Sequence, residues 1–237
     1  MSHLFRRAVA EGIGTFFLVL IGPGAVMVDA FAHGALGATG IALAFAFVVL
    51  AMIYTLGHLS GAHINPAVTV AFWSTGRFPT NELPAYIAAQ CMGAIAASGV
   101  LRFVMGPIGR MGATLPAVSE PRAFVIEWLF SFALMLVIMA VATDDRVADG
   151  FAAIAVGLTV GFCALLGQLT GASMNPARSL GPAVIGGLWQ SHWLYWVAPI
   201  TGMVAAAWTY ESLRRATGPQ APKSSVHATG VQGRIDG

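Results

Sequence analysis

The sequence predicts an all-α membrane protein in which six transmembrane helices and two half-helices form inverted 3+3 repeats. The first observation is composition: 57% of the 237 residues are hydrophobic and 9% are charged, whereas about 25% of the residues of a soluble domain are charged. The mean hydropathy is +0.76. The second observation is a repeated tripeptide, at Asn65-Pro66-Ala67 and at Asn175-Pro176-Ala177. Together they indicate a membrane protein with two related halves.

Six apolar segments are long enough to cross a bilayer, since a transmembrane helix needs about 20 mainly apolar residues. The spans are expected at residues 8–28, 36–56, 83–105, 124–141, 151–169 and 191–213. The first follows a short basic N-terminus without a clear cleavage site, so we expect it to be retained as a helix. One membrane domain is expected over residues 1–216, with repeats at about 5–105 and 123–213. The polar tail, residues 217–237, is expected to be disordered and cytoplasmic.

The two Asn-Pro-Ala segments, residues 65–73 and 175–185, are each about half a span long. Asn is a strong N-cap residue, and Pro suits the first helical position because its missing N–H has no partner there in any case. Each tripeptide therefore predicts the start of a short helix. A Gly-rich turn precedes each copy, at residues 60–64 and 170–174.

The two halves follow the same order. A Glu-containing motif that begins at Glu11 in the first span parallels the motif that begins at Glu127 in the fourth, and each half then reaches its Asn-Pro-Ala. Three spans per half is an odd number, so the halves enter the bilayer in opposite directions. Broken helices in inverted repeats place a transport site near the midplane. Non-helical backbone at that depth must be buried or line a cavity.

Basic residues near the span ends predict the orientation in the membrane. Two arginines fall on one side, namely Arg110 and Arg122. The other six fall on the opposite side if the six spans alternate, namely Arg6, Arg7, Arg77, Arg146, Arg214 and Arg215. Both termini are therefore predicted to be cytoplasmic, in a multi-pass protein of the cell (inner or plasma) membrane.

Several other classes of protein fit the sequence poorly. The net charge of +2 is too small to suggest a nucleic-acid partner. Cys91 and Cys163 both lie in apolar segments and imply no disulfide framework. The six histidines are dispersed, so no metal, cofactor or enzymatic activity is expected. An ion-coupled secondary transporter stays an alternative, with Glu11 or Glu127 as the coupling group.

The chain resembles the aquaporin, or major intrinsic protein, family over roughly residues 5–213, and in particular a bacterial water-channel-like member. The resemblance rests on the two boxes, on their lead-ins at residues 60–63 and 171–174, and on Arg178 after the second box. The Glu11 and Glu127 motifs agree with it. The resemblance implies a right-handed six-helix bundle whose half-helices meet in the middle. It also implies a homotetramer with one pore per subunit, in contact with lipid.

This resemblance implies a passive channel for water that excludes protons and ions. A helix N-terminus carries about half a positive charge, so two facing N-termini repel cations at the pore centre. Asn65 and Asn175 can each cap a helix with the side-chain oxygen and donate an amide N–H to a passing water. Arg178 is expected in the outer filter, where it donates hydrogen bonds and repels cations, as generally described for aquaporin-type pores.

The remaining polar residues in or near the spans are expected to support the pore. Glu11 and Glu127 are expected to accept hydrogen bonds from backbone N–H groups in the loop before each half-helix, in preference to a proton relay. By resemblance, His58 and His63 lie around the cytoplasmic vestibule. Lining or loop support is preferred there over a pH gate.

By resemblance, the selectivity filter combines Phe45, Ala172 and Arg178 with one residue of the fifth span. A count back from Asn175 gives Cys163, whereas a count forward from Gly157 gives Ala164, and both stay open. Strict water channels resemble one another in having His at this position. A small residue there predicts a wider and less polar constriction. If Cys163 faces the lumen, mercurials are expected to block flux.

Other positions are similar to those of water channels. These are Ser179 after Arg178, the small Ala183, and the aromatic pair Tyr195-Trp196. Water is therefore expected as a main permeant. A broader, aquaglyceroporin-like channel for glycerol, urea or other small neutral solutes is the alternative.

Overall fold

The fold is described from a computed structural model, which describes residues 2–147 and 150–216. Within these ranges the chain forms eight α-helices and no β-strand. The helices are α1 (His3–Phe31), α2 (Gly37–Ser60), α3 (Pro66–Ser74), α4 (Leu83–Met105), α5 (Glu120–Thr143), α6 (Ala152–Leu165), α7 (Pro176–Gly186) and α8 (Leu194–Ala216). The tail predicted to be disordered, residues 217–237, lies outside the described residues.

Six long helices and two half-helices are present, as the sequence predicts. By length and composition, α1, α2, α4 and α5 can each cross a membrane. The apolar α6, with 14 residues, is shorter, and α8 has 23 residues. The half-helices α3 and α7 have 9 and 11 residues. The predicted all-α fold with inverted 3+3 repeats is thus confirmed.

The helix ends differ from the predicted spans by a few residues at several places, and two of these differences have clear local reasons. Helix α1 starts at His3 and not at residue 8, because the Ser2 side chain caps it by accepting a hydrogen bond from the Phe5 N–H at 3.3 Å. Helix α6 ends at Leu165 and not at residue 169, because the chain tightens into a 3₁₀ turn over Gly167–Leu169. The fifth span is therefore shorter than its run of apolar residues.

The two halves pack in the same way. Helix α1 lies against α4 in the first half, α5 lies against α8 in the second, and α2 meets α6 where the halves join. Glycines allow these close contacts. A Cβ on Gly93 would lie 2.2 Å from the Gly12 carbonyl oxygen, and one on Gly202 would lie 2.5 Å from that of Trp128. Small residues let membrane helices approach to backbone contact.

Ion pairs join the helix ends at one face of the bundle. Arg7 near the start of α1 pairs with Glu82 before α4. The Arg77 Nε after α3 donates to Glu211 near the end of α8 at 2.6 Å. In the loop after α5, the neighbouring Arg146 guanidinium and the Tyr210 hydroxyl hold the pKa of Asp144 well below its usual range. This face carries the arginines predicted to lie on one side of the membrane.

Candidate functional site

The two half-helices start at the Asn-Pro-Ala boxes, as the sequence predicts. Asn65 caps α3, since its Oδ1 accepts a hydrogen bond from the Ala67 N–H at 2.9 Å. Asn175 caps α7, and its Oδ1 accepts from the Ala177 N–H at 3.0 Å and the Arg178 N–H at 3.3 Å. Each Pro stands at the first helical position, where no backbone donor is needed.

The two boxes are also joined to each other. The Asn65 Nδ2 donates to the Met174 carbonyl oxygen, and the Asn175 Nδ2 donates to the Ile64 carbonyl oxygen, each at 2.8 Å. The N-termini of α3 and α7 therefore face each other in the interior. An Asn amide has two N–H groups, and each Asn also borders the central cavity. One N–H of each Asn thus remains for a molecule in that cavity.

The loops before the boxes share an unusual backbone. In the first loop, residues 60–65, Gly61, Ala62 and Ile64 have φ of 91°, 46° and 42°. In the second loop, residues 170–175, the equivalent φ values are 91°, 41° and 51°. Left-handed φ is uncommon for residues other than Gly, and such conformations cluster at functional sites. Both loops keep the chain non-helical where it borders the cavity.

Glu11 holds the first loop in place. Its carboxylate accepts hydrogen bonds from the His63 N–H at 2.9 Å, the Ile64 N–H at 2.6 Å and the Ser60 hydroxyl at 2.7 Å. The Gln90 Nε2 adds a fourth, at 2.8 Å. These partners satisfy backbone donors that a buried irregular loop would otherwise leave unpaired.

Glu127 does the same for the second loop. Its carboxylate accepts from the Thr170 hydroxyl at 2.7 Å and from the N–H groups of Ser173 and Met174, each at 2.9 Å. Neither Glu11 nor Glu127 lines the cavity. This is the geometry expected for loop support.

A narrow cavity of about 110 Å³ runs between the halves, with two unlike sides. This is room for a short file of water molecules. The polar side consists of the two loops with Asn65, Asn175, His63 and Arg178. The apolar side comes mainly from α1, α2, α5 and α6, with Val68 and Phe72 added by α3, and includes Leu18, Phe45, Val49, Leu134, Ile138, Val156 and Val160.

Three of the predicted filter residues meet at this cavity. Phe45, Ala172 and Arg178 all line it. Arg178 is only 2% exposed, and its Nη1 donates to the Gly112 carbonyl oxygen at 2.8 Å. Its Cζ lies 5.2 Å from the centre of the Phe45 ring. The Arg178 Nε has no hydrogen-bond partner among the described residues, so this buried cation retains a free donor.

The fourth filter position, Cys163 or Ala164, stays a prediction. Neither residue is among those that line this cavity. Cys163 is 7% exposed and belongs to the same hydrophobic cluster as Phe45 and Ala172, with Ala164 packed against it. The α6 residues at the cavity are Val156 and Val160, whose i, i+4 spacing places them on one helix face.

The two histidines have different places. His63 lines the cavity, where its Nδ1 lies 3.1 Å from the Thr69 Oγ1 and its ring stacks 4.9 Å from that of Phe72. His58, in the last turn of α2, is exposed and does not line the cavity. An exposed side chain is compatible with a place at the vestibule, so that expectation for His58 stays a prediction.

Several polar residues that finish the site were missed by sequence reasoning. In the first half, Gln90 bridges Glu11 and Thr69, with its Nε2 at 3.1 Å from the Thr69 Oγ1. In the second half, the Ser173 Oγ lies 2.5 Å from the Ser179 Oγ, which accepts a hydrogen bond from the Thr114 hydroxyl. Gln90 and Thr114 are distant in the sequence from the residues that they contact, so only the fold brings them there, whereas Ser173 and Ser179 are near neighbours in the sequence.

Comparison with known proteins points to a single protein family. The model of the major intrinsic protein family matches residues 1–210. Aquaporin NIP1-1 of Zea mays is 47% identical over 213 residues, which cover 88% of this chain and 75% of that protein. Nodulin-26 of Glycine max is 42% identical over 231 residues, covering 97% of this chain and 85% of that protein.

Among solved structures, the aquaglyceroporin from Plasmodium falciparum superposes with a TM-score of 0.80 at 26% identity. The match covers 90% of this chain and 98% of that one. These findings confirm the resemblance drawn from the sequence motifs. They also confirm the expectation of a multi-pass membrane channel and not an enzyme.

Proposed function

The chain belongs to the major intrinsic protein family of membrane channels, and we propose that it conducts water and small neutral solutes such as glycerol down their gradients. The observation that carries this proposal is the two-sided cavity. A polar side of loop backbone, Asn65, Asn175 and Arg178 faces an apolar side that includes Val156 and Val160. A neutral polyol has hydroxyl groups to match the first side and C–H groups to match the second.

The wider range of solutes is supported by the small and apolar residues of the cavity. Val156 and Val160 supply its α6 side, and Ala172 is small. Cys163 and Ala164, the two alternatives for the fourth filter position, both have less bulk than the His of strict water channels. The solved structure in the comparison carries the name aquaglyceroporin, which favours the same range. We therefore propose water and glycerol together, in place of water as the main permeant.

Protons and ions are excluded by the same polar side. The N-termini of α3 and α7 face each other, and each contributes positive potential to the centre of the cavity. A water that accepts hydrogen bonds from the side-chain N–H groups of both Asn65 and Asn175 has both lone pairs engaged, so it cannot accept a proton from its neighbour. Arg178 adds a full positive charge next to Phe45.

The ion-coupled transporter is disfavoured by the state of the two carboxylates. Coupling needs a carboxylate that a cation can reach and that can change its partners. Glu11 and Glu127 are fully buried, do not line the central cavity, and accept hydrogen bonds from the loops on both oxygens. Releasing either one would remove the support of a half-helix.

The distribution of arginines supports an orientation of the protein in the membrane. We propose that the face with Arg7, Arg77 and Arg146 is cytoplasmic, as the positive-inside rule predicts, and that the protein lies in the cell membrane. We further propose that residues 1–216 form a single channel domain and that four copies assemble, each with its own pore. Crosslinking in native membranes and accessibility of a C-terminal tag test these points.

The test of function is stopped-flow light scattering on proteoliposomes. An inward gradient of impermeant sugar is expected to cause fast shrinkage, and a glycerol gradient is expected to cause shrinkage followed by fast re-swelling. Neither rate should change when a proton or sodium gradient is imposed. Empty liposomes are the control. Re-swelling no faster than theirs would contradict glycerol permeation, and flux that needs an ion gradient would contradict a passive channel.

A further inference from the structure

We propose that Gly22 sets the size limit of the pore by leaving room for the ring of Phe45. Gly22 lies in α1, at the buried face that meets α2. A Cβ at this position would lie 2.2 Å from the Phe45 Cε1 and 2.6 Å from both its Cδ1 and its Cζ. Real Cβ atoms do not approach other atoms so closely, so the ring occupies the space that a side chain at position 22 would need.

The Phe45 ring has little free space around it. It packs against α1 at Gly22, and Phe45 is just 6% exposed. The open space that the ring borders is the cavity that it lines, where the Arg178 Cζ lies 5.2 Å from the ring centre. Protein cores accept added bulk by shifting side chains from their preferred rotamers. A methyl group at position 22 would therefore push the ring toward the cavity and narrow it.

Gly22 differs from the glycines that allow helices to pack. At Gly93 and Gly181 a Cβ would meet backbone carbonyl oxygens, of Gly12 and Ala94. Substitution there forces two helices apart. At Gly22 the three nearest atoms all belong to one aromatic side chain. The residue acts on the pore through Phe45, so it is a positioning residue for the filter and does not itself touch the permeant.

This inference rests on the proposed function, because it takes Phe45 as part of the constriction that a solute must pass. The matched control is Gly24→Ala. Gly24 stands two residues later in the same helix, and a Cβ there would meet the Leu101 Cδ2 at 3.2 Å, the end of a flexible side chain away from the cavity.

The experiment compares Gly22→Ala, Gly24→Ala, Phe45→Ala and the double variant Gly22→Ala/Phe45→Ala in proteoliposomes. Water and glycerol permeabilities are measured on the same samples. We expect Gly22→Ala to lower glycerol permeability about tenfold and water permeability no more than about threefold, since a larger solute meets more of the added barrier. Gly24→Ala should keep the wild-type ratio, and Phe45→Ala should raise the ratio of glycerol to water. The double variant should match Phe45→Ala.

The outcomes separate the inference from the proposed function. An unchanged ratio in Phe45→Ala would remove Phe45 from the constriction and overturn the proposed filter itself. A changed ratio in Phe45→Ala, together with a Gly22→Ala that behaves like Gly24→Ala, would overturn the role of Gly22 alone.

The double variant also tests whether a folding defect of Gly22→Ala comes from a clash with the Phe45 ring. If Gly22→Ala does not fold, the account requires Gly22→Ala/Phe45→Ala to fold as well as Phe45→Ala, because the clashing ring is gone. Failure of the double variant to fold would show that Gly22 packs against something other than Phe45 and would overturn the inference.

Discussion

The first loop and the second loop follow the same backbone path, yet different side chains complete their support. Both have left-handed φ at three equivalent positions, and both donate backbone hydrogen bonds to a buried Glu. In the first half, Gln90 binds Glu11. In the second half, a hydrogen bond between the hydroxyl groups of Ser173 and Ser179 holds the loop against α7. The repeat therefore conserves the backbone path and the carboxylate, whereas the polar groups around them differ.

Each half has a partner that could accept a hydrogen bond if an amide replaced its Glu. In the first half, the Gln90 Oε1 has no hydrogen-bond partner among the described residues, while its Nε2 binds Glu11, so a rotation of this amide would offer an acceptor. In the second half, the Thr170 hydroxyl that binds Glu127 can also accept. The other partners of both carboxylates include two backbone N–H groups each, which can only donate.

The largest expected effect is that of Glu127→Gln. An amide at this position turns an acceptor into a donor and leaves a buried N–H of residues 173–174 facing it, at a cost of about 1–3 kcal/mol for each unpaired group. We expect Glu127→Gln to destabilise the protein and to abolish most water flux. Glu11→Gln should lose a similar amount of stability: the Gln90 oxygen can accept from the new amide, but one backbone N–H of residues 63–64 is left unpaired in the same way.

The stability of both variants is measured by thermal unfolding in detergent, and their water flux is measured in proteoliposomes. Clearly unequal losses would contradict the equivalence of the two carboxylates. A Gln90→Leu background provides the control, since Glu11→Gln should then become more harmful than it is with Gln90 present, because the acceptor that Gln90 offers to the new amide is gone.

A smaller difference is expected between the two Asn residues. Asn175 caps two N–H groups of α7, whereas Asn65 caps one of α3. Loss of a helix cap costs about 1 kcal/mol, with a range of roughly 0.5–2. Asn175→Ala should therefore destabilise more than Asn65→Ala in equilibrium unfolding from mixed micelles. The reverse order would contradict the cap geometry.

The two loops should respond alike to loss of their tyrosine anchors. The Tyr86 hydroxyl donates to the Ser60 carbonyl oxygen at 2.8 Å, and that of Tyr195 donates to the Thr170 carbonyl oxygen at 2.6 Å. Tyr86→Phe and Tyr195→Phe each remove one buried hydrogen bond, worth about 1 kcal/mol. Unfolding midpoints of the two variants should fall by similar amounts. A clear difference would break the equivalence of the halves at this position.

The smallest effect is expected at Cys163. Because Cys163 is buried in the core and borders no part of the cavity, Cys163→Ser should leave water flux and its response to mercurials as in the wild type. Val160→Ala, one turn earlier on α6, should raise glycerol flux. Block by a mercurial that disappears in Cys163→Ser would restore Cys163 to the lumen.

Most of the fold could be predicted from the sequence because each half-helix begins with a recognisable local signal. Asn65 and Asn175 are caps followed by Pro, and such starts depend on local chemistry alone. The support by Glu11 and Glu127 was equally predictable, since a buried irregular loop needs acceptors. The fourth filter residue was not, because the count back from Asn175 and the count forward from Gly157 give different residues, Cys163 and Ala164. Gln90 was not, because its contacts span 79 and 21 residues of sequence.

The most direct test of the account measures glycerol and proton flux in the same proteoliposomes. Light scattering reports glycerol re-swelling, while a pH-sensitive dye inside the vesicles reports protons under an imposed pH gradient. The account predicts fast glycerol entry with a proton leak no greater than that of empty liposomes, because facing half-helix N-termini and Arg178 oppose cations but not neutral solutes. A proton leak that appears together with glycerol flux would contradict it.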